Sequence, residues 1–262
     1  MSSVFLIIPA VIGWLSGWLV NYFSDVLPTT RQLSQPNCLK CGVPFTWKDY
    51  LLFRPCPNGH RRNLRAWFVQ VLAIVTSLYL WIYPPSKLGY IIGLIVTIYF
   101  GIIFVIDLEH RLILHPTSIF GSLLGLFVGT LSHGFFATLL GGLGGLLIML
   151  IFYLLGVLFT RIRLRRLQLS GQPTDDEEAL GAGDVILSTI IGLMLGWPLI
   201  WFGILVGVLL GGAVSILLIL WLVITRKYEK NALMVFIPYG PYLILSAFLI
   251  LYFPKYLAVL VP

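Results

Sequence analysis

The sequence predicts an all-α polytopic membrane protein, with about eight transmembrane helices and one small cytoplasmic insert after the first. Three observations carry this. The chain is 59% hydrophobic and only 10% charged, whereas a soluble domain carries about 25% charged residues; its mean hydropathy is +0.98. Apolar runs approaching the ~20 residues that cross a bilayer recur along its length. The basic residues collect on one side of those runs.

The runs, in order, are Val4–Phe23, Ala66–Tyr83, Leu88–Ile106, Thr117–Ser132, Phe135–Phe159, Val185–Gly196, Pro198–Ile224 and Ile237–Phe253. The first lacks a signal peptide's basic start, since no Lys or Arg precedes Arg31, and no clear small-residue cleavage site follows it. The fourth and sixth are short. Three segments follow: 1–23, the first transmembrane helix; 24–65, a cytoplasmic Cys-containing insert; and 66–262, a membrane-embedded core.

Charge sets the orientation. Residues 24–65 hold Arg31, Lys40, Lys48, Arg54, Arg61, Arg62 and Arg65. Arg111 follows the third run, Arg161, Arg163, Arg165 and Arg166 follow the fifth, and Arg226, Lys227 and Lys230 precede the last. Only Lys87 and Lys255 remain of the 17 basic residues. Basic loops stay cytoplasmic, so both chain ends are expected outside. The net charge of +7 is therefore a topology signal, and nucleic acid is not an expected partner.

All three cysteines lie in the insert, as Cys38-Leu39-Lys40-Cys41 and Cys56-Pro57-Asn58-Gly59-His60. Cys38, Cys41, Cys56 and His60 supply a Cys3His set for tetrahedral zinc. Gly42 and Gly59 suit the tight turns of a metal knuckle. On the cytoplasmic side the thiols stay reduced, and three free thiols with a surface histidine are the plainer alternative. An insert this short builds little core, so a metal would help it fold.

Two carboxylates border apolar runs at the same boundary. Asp107 ends one, in Ile106-Asp107-Leu108-Glu109-His110; Asp184 begins another, in Gly181-Ala182-Gly183-Asp184-Val185. Ionisable groups there are costly and are functional candidates. Gly181 and Gly183 carry no Cβ, which lets another backbone come close to the acid. Alone, this stretch is equally a loop ending in Asp as a helix N-cap. The second acid adds chemistry: two facing aspartates share a proton, one staying protonated while the other acts as base on water. That is the general acid–base route of an aspartic protease. A helix N-terminus would favour the ionised form of Asp184. Glu109 and His110 compete with Asp107, which is preferred because it adjoins the apolar run. The acidic cluster Asp175, Asp176, Glu177 and Glu178 is a solvated linker or an attractor for a basic peptide. Gly141, Gly142, Gly144 and Gly145 suit close helix packing or a groove for a substrate helix.

In this order the motifs resemble those of the type IV prepilin peptidases, membrane aspartic proteases with a Gly-x-Gly-Asp motif. The matching features are the cysteine insert ending in Arg65, the Asp107 segment followed by Pro116, Gly181–Val185 leading to Leu195-Gly196-Trp197, and Pro238-Tyr239-Gly240-Pro241-Tyr242. The resemblance implies removal of the short basic leader of prepilins or pseudopilins at the cytoplasmic face of the bacterial inner membrane, after a glycine and before the substrate's hydrophobic helix. It puts Asp107 and Asp184 at the catalytic pair; Gly181, Gly183 and Glu109 are expected beside the substrate. The implied partners are that substrate helix and the lipid bilayer. It also implies zinc in the insert and, in many members, N-methylation of the new terminus from S-adenosylmethionine.

The chain departs from the family pattern: His60 replaces a cysteine, Ile186 replaces the usual lysine after the second aspartate, the stretch from Asp107 to Pro116 is longer than usual, and Gln70 stands where an acid is common. No Gly-rich loop after a strand marks a methyl-donor site. A proton-coupled transporter is the alternative, but it would place acids near the midplane of repeated halves; here they lie at one boundary and no internal repeat is evident.

Overall fold

The computed structural model describes residues 4–38, 40–169, 181–225 and 238–254. Among them no strand forms, only an isolated bridge between Asn37 and Pro44; the regular structure is helical. The chain divides into two compact units, Met1–Leu114 and His115–Pro262.

The first unit contains α1 (Val4–Thr30), α2 (Trp47–Leu51), α3 (Leu64–Ile82) and α4 (Gly89–His110). α1 packs along both α3 and α4. Gly13 lets α1 meet α3 at backbone distance: a Cβ there would stand 2.7 Å from the Ile74 Cα. Side-chain donors then bridge the two helices. Asn21 Nδ2 donates to the Ala66 carbonyl at 3.1 Å, and Ser77 Oγ to the Pro9 carbonyl at 2.7 Å. Gln70 Nε2 donates to the Trp14 carbonyl at 2.6 Å. That last bond explains why an amide serves at position 70, since an ionised carboxylate has no proton to give.

α1 runs beyond Phe23, where its apolar run ends, to Thr30. Val26 and Leu27 continue its buried face, and the Ser24 hydroxyl is satisfied by the Val20 carbonyl at 2.7 Å. The helix stops only at Arg31, whose φ is +55°. Asp25 is thereby helical.

The second unit contains α5 (His115–His133), α6 (Phe135–Leu169), α7 (Ala182–Leu195), α8 (Leu199–Ile224) and α9 (Gly240–Tyr252). α7 is its inner helix, packed by α5, α6, α8 and α9, with Leu187, Ile190, Ile191, Met194 and Leu195 almost wholly buried. The glycine stripe of α6 faces it. A Cβ on Gly141 would collide with the Gly192 carbonyl oxygen, and one on Gly145 with that of Ser188. The Ser188 hydroxyl closes the contact by donating to the Gly145 carbonyl at 2.6 Å. Of the two uses for this stripe, close packing is the one realised: α7 fills it. α6 also continues past Phe159, because neither Pro nor Gly interrupts the chain there.

Among the described residues, five helices, α1, α3, α4, α6 and α8, are long and apolar enough to cross a membrane. α7 and α9 are shorter apolar helices of 14 and 13 residues, about 20 Å long against a hydrocarbon thickness of about 30 Å. α5 has 19 residues but opens on His115, Pro116, Thr117 and Ser118. The eight apolar helices occupy the eight runs, and the protein is an all-α polytopic membrane protein. α6 and α8 expose Leu143, Leu147, Ile151, Leu209 and Leu217, the surface that lipid contact requires. The acidic cluster Asp175–Glu178, Ile237 and the basic Arg226, Lys227, Lys230 and Lys255 lie outside the described residues.

The glycine contact gives a direct stability test. Overpacking a well-filled contact costs about 1–3 kcal/mol, and here the obstacle is backbone. Gly145→Leu should lower the thermal midpoint of the detergent-purified protein by several degrees. Gly156→Ala, with nothing within 4 Å of the new Cβ, should leave the midpoint unchanged or raise it.

Candidate functional site

Asp107 and Asp184 sit at opposite kinds of helix end. Asp107 belongs to the last turn of α4 and is buried, 5% exposed. Val105 and Ile106 beside it pack with Val20 and Leu27 of α1 and with Leu114. Arg111 ends the helix in a left-handed conformation, φ +53°, and its N–H donates to the Asp107 carbonyl at 2.9 Å.

Asp184 lies in the first turn of α7, 9% exposed. It is not the N-cap; Gly181 is. The Gly181 N–H donates to Asp184 Oδ2 at 3.3 Å, and the Asp184 N–H to the Gly181 carbonyl at 3.0 Å. The carboxylate thus closes back on the chain before the helix and lies at the positive end of the helix dipole. A Cβ on Gly181 would meet only Asp184 Oδ2 at 3.8 Å and the Gly183 nitrogen at 3.9 Å. Tyr239, heading α9, is close enough for the Asp184 charge to bear on its phenol. Asp107 is on the first unit and Asp184 on the second.

The insert gathers its four candidate ligands. The Sγ atoms of Cys38, Cys41 and Cys56 and a ring nitrogen of His60 all lie within 4.8 Å of one another. Cys41 and Cys56 sulfurs are 3.8 Å apart, and Cys56 Sγ is 3.5 Å from His60 Nδ1. Zinc bonds of about 2.3 Å to sulfur and about 2.0–2.1 Å to nitrogen, at tetrahedral angles, put S···S near ~3.8 Å and S···N near ~3.6 Å. The donor set therefore fits zinc in its chemistry and in these two edges. Gly42 and Gly59 take φ of +70° and +78°, a conformation that costs an L side chain. Their N–H groups donate to the Cys38 and Cys56 carbonyls, each at 2.7 Å. Burial opposes ionisation of Cys38, but backbone N–H groups of Lys40 and Cys41 outweigh it and hold the thiol below its usual range. The Val43 N–H favours the Cys41 thiolate, yet burial and the neighbouring sulfurs push that thiol up. A dication would relieve this crowding of like charge.

The knuckle does not stand alone. Cys38 and Cys56 share a core with Phe45, Tyr50 and, from α1, Tyr22 and Val26. Beneath them lies an arrangement the sequence did not announce. Asp25, its side chain 7% exposed, takes Arg62 Nη2 at 2.7 Å and is also paired with Arg65. The Tyr50 hydroxyl donates to Asp25 Oδ2 at 2.6 Å. Arg62 lies 4.0 Å over the Tyr50 ring centroid and 4.6 Å from that of Phe53. Burial, then the Asp25 charge, pushes the Tyr50 phenol well above its usual range, so it remains a donor. Arg65 Nε reaches Glu109 Oε1 at 3.2 Å. Glu109, expected beside the substrate, faces this guanidinium while its side chain stays 34% exposed. The signal available in the sequence was Asp25 itself, a lone acid just past an apolar run.

A model of the type IV leader peptidase family matches residues 91–253. The chain belongs to that family. The matched stretch takes in Asp107, Asp184 and Pro238–Tyr242 and leaves out the cysteine knuckle. Neither the curated proteins nor the solved structures contain a match. Membership makes this multi-pass membrane protein a leader-peptidase-like protease and displaces the transporter reading.

Metal content tests the knuckle. The purified protein should carry about one zinc per chain by elemental analysis. Cys56→Ser should lose it with a lower thermal midpoint, and His60→Cys should keep it.

Proposed function

We propose that this protein cleaves the basic leader from type IV prepilins or pseudopilins at the cytoplasmic face of the bacterial inner membrane, with Asp107 and Asp184 as its catalytic pair. One observation carries the reading: the family match contains two buried carboxylates, each at the end of an apolar helix. A prepilin is a charged tail followed by a hydrophobic helix lying in the bilayer. Its scissile bond therefore sits where the membrane meets water, which is also where an acid at a helix end belongs.

The chemistry needs no covalent intermediate. One aspartate, ionised, takes a proton from water as it attacks the scissile carbonyl. The other, protonated, donates to the developing oxyanion; as the C–N bond breaks it takes that proton back, and the first aspartate passes the proton it took from water to the amide nitrogen. Gly181, at the entrance to α7, presents uncrowded main chain to the substrate backbone, and Gly183 adds main chain without a Cβ. The basic segments face the cytoplasm with both chain ends outside, and zinc in the Cys3His knuckle is structural.

The test uses purified protein and a synthetic peptide spanning a basic leader, a glycine and the first turns of an apolar helix. Acid–base catalysis by one positioned group contributes about 10²–10⁴-fold. Asp107→Asn and Asp184→Asn should each lower kcat by that order, with the fold retained by circular dichroism. Unchanged cleavage in both variants would end the proposal.

A further inference from the structure

We propose that Arg65 is a positioning residue for Asp107, acting through Glu109. The inference rests on the catalytic reading of Asp107 above and goes beyond it by saying what holds that carboxylate in place. Asp107, Glu109 and His110 share the last turn of α4, and Arg111 ends it in a left-handed conformation. The final carbonyls of a helix have no partners further along it, so a terminal turn frays unless something outside grips it. Hydrophobic packing holds one side, through Val105 and Ile106 against Val20 and Leu27. The polar contact is an ion pair: Arg65 Nε stands 3.2 Å from Glu109 Oε1, without the alignment of a hydrogen bond.

Arg65 is itself immobilised. It is the second residue of α3, its side chain is 19% exposed, and its Nη2 is paired with Asp25 of α1. Arg62 and Tyr50 fix the same carboxylate from the insert. The guanidinium, anchored on Asp25, therefore carries a positive charge from α1 and α3 to the end of α4. Glu109, two residues beyond Asp107, points to a different part of the helix circumference. A hold on Glu109 can thus set the rotation of the turn and leave Asp107 open to its own partners.

The expected kinetic pattern separates positioning from simple stability. Asp107 acts in the chemical step, so loosening its turn lowers kcat more than it alters KM. Arg65→Gln should lower kcat at least tenfold with KM changed less than twofold, and Glu109→Gln should do the same. The double variant should be no slower than either single one, because both break the same tether. Arg65→Lys should recover part of the loss. All are measured on folded protein with the leader peptide, alongside Asp107→Asn. Multiplying losses in the double variant would overturn the proposal, as would an effect confined to KM. If Arg65→Gln does not fold, Glu109→Gln decides alone: folded protein with wild-type kcat overturns the proposal. Full turnover by Asp107→Asn would remove the catalytic reading and this inference with it; loss there with independent Arg65 and Glu109 effects removes this inference only.

Discussion

One buried carboxylate, Asp25, ties α1 to the insert and to the start of α3. A carboxylate removed from water is tolerated only when its charge and lone pairs are answered, and here two guanidinium groups and a phenol answer it. Those partners come from the insert and from the start of α3. Breaking such a buried set by removing one member costs about 3–5 kcal/mol. The insert is consequently no independent module. Its aromatic core is completed by Tyr22 and Val26 of α1, and its orientation is fixed by the ion pairs beneath. Zinc in the knuckle would secure the outer end of an assembly already anchored at the inner one.

The second unit solves a different problem. α7 is too short to cross a bilayer by itself and too apolar to face water, so it is enclosed. Enclosure at backbone distance requires glycine on the facing helices. Gly129 of α5 abuts the Leu193 carbonyl, and Gly141 and Gly145 of α6 abut Gly192 and Ser188. Asp184 therefore starts a helix whose translation and rotation are restricted by carbonyl contacts rather than by flexible side chains. A rigid element of this kind holds its first-turn side chains in fixed positions.

The positions of the helices were legible because lipid imposes a length and an apolar composition on whatever crosses it. Their ends were less so. Hydropathy ends α1 at Phe23, yet Val26 and Leu27 bury one turn further on; α6 runs beyond Phe159 because charge alone does not stop a helix. The Cys3His set could be read because ligand spacing is local. The role of Asp25 could not, since Arg62 and Arg65 lie far along the chain and no periodicity links them. The cap of α7 illustrates the finer limit. Asp is a good N-cap residue, but Gly181 takes that place and Asp184 closes the turn from within the helix.

The departures from the family pattern can be judged by what each replacement does in place. His60 keeps the tetrahedral edge to Cys56 and, as a neutral imidazole, supplies one negative charge fewer than a cysteine would. Gln70 uses its extra proton on the Trp14 carbonyl. Ile186 is the informative case, because a lysine shortly after Asp184 would favour the ionised carboxylate. Ile186 is 41% exposed and offers no charge. Asp184 nevertheless receives the Gly181 N–H and lies within the first turn of α7, where the helix dipole is worth about 0.3–1 kcal/mol to an anion. The stabilisation that a lysine would add from outside is thus partly present in the backbone. What the isoleucine removes is a cation able to bind an anionic group near the site, so its loss bears on what binds there more than on whether Asp184 can ionise.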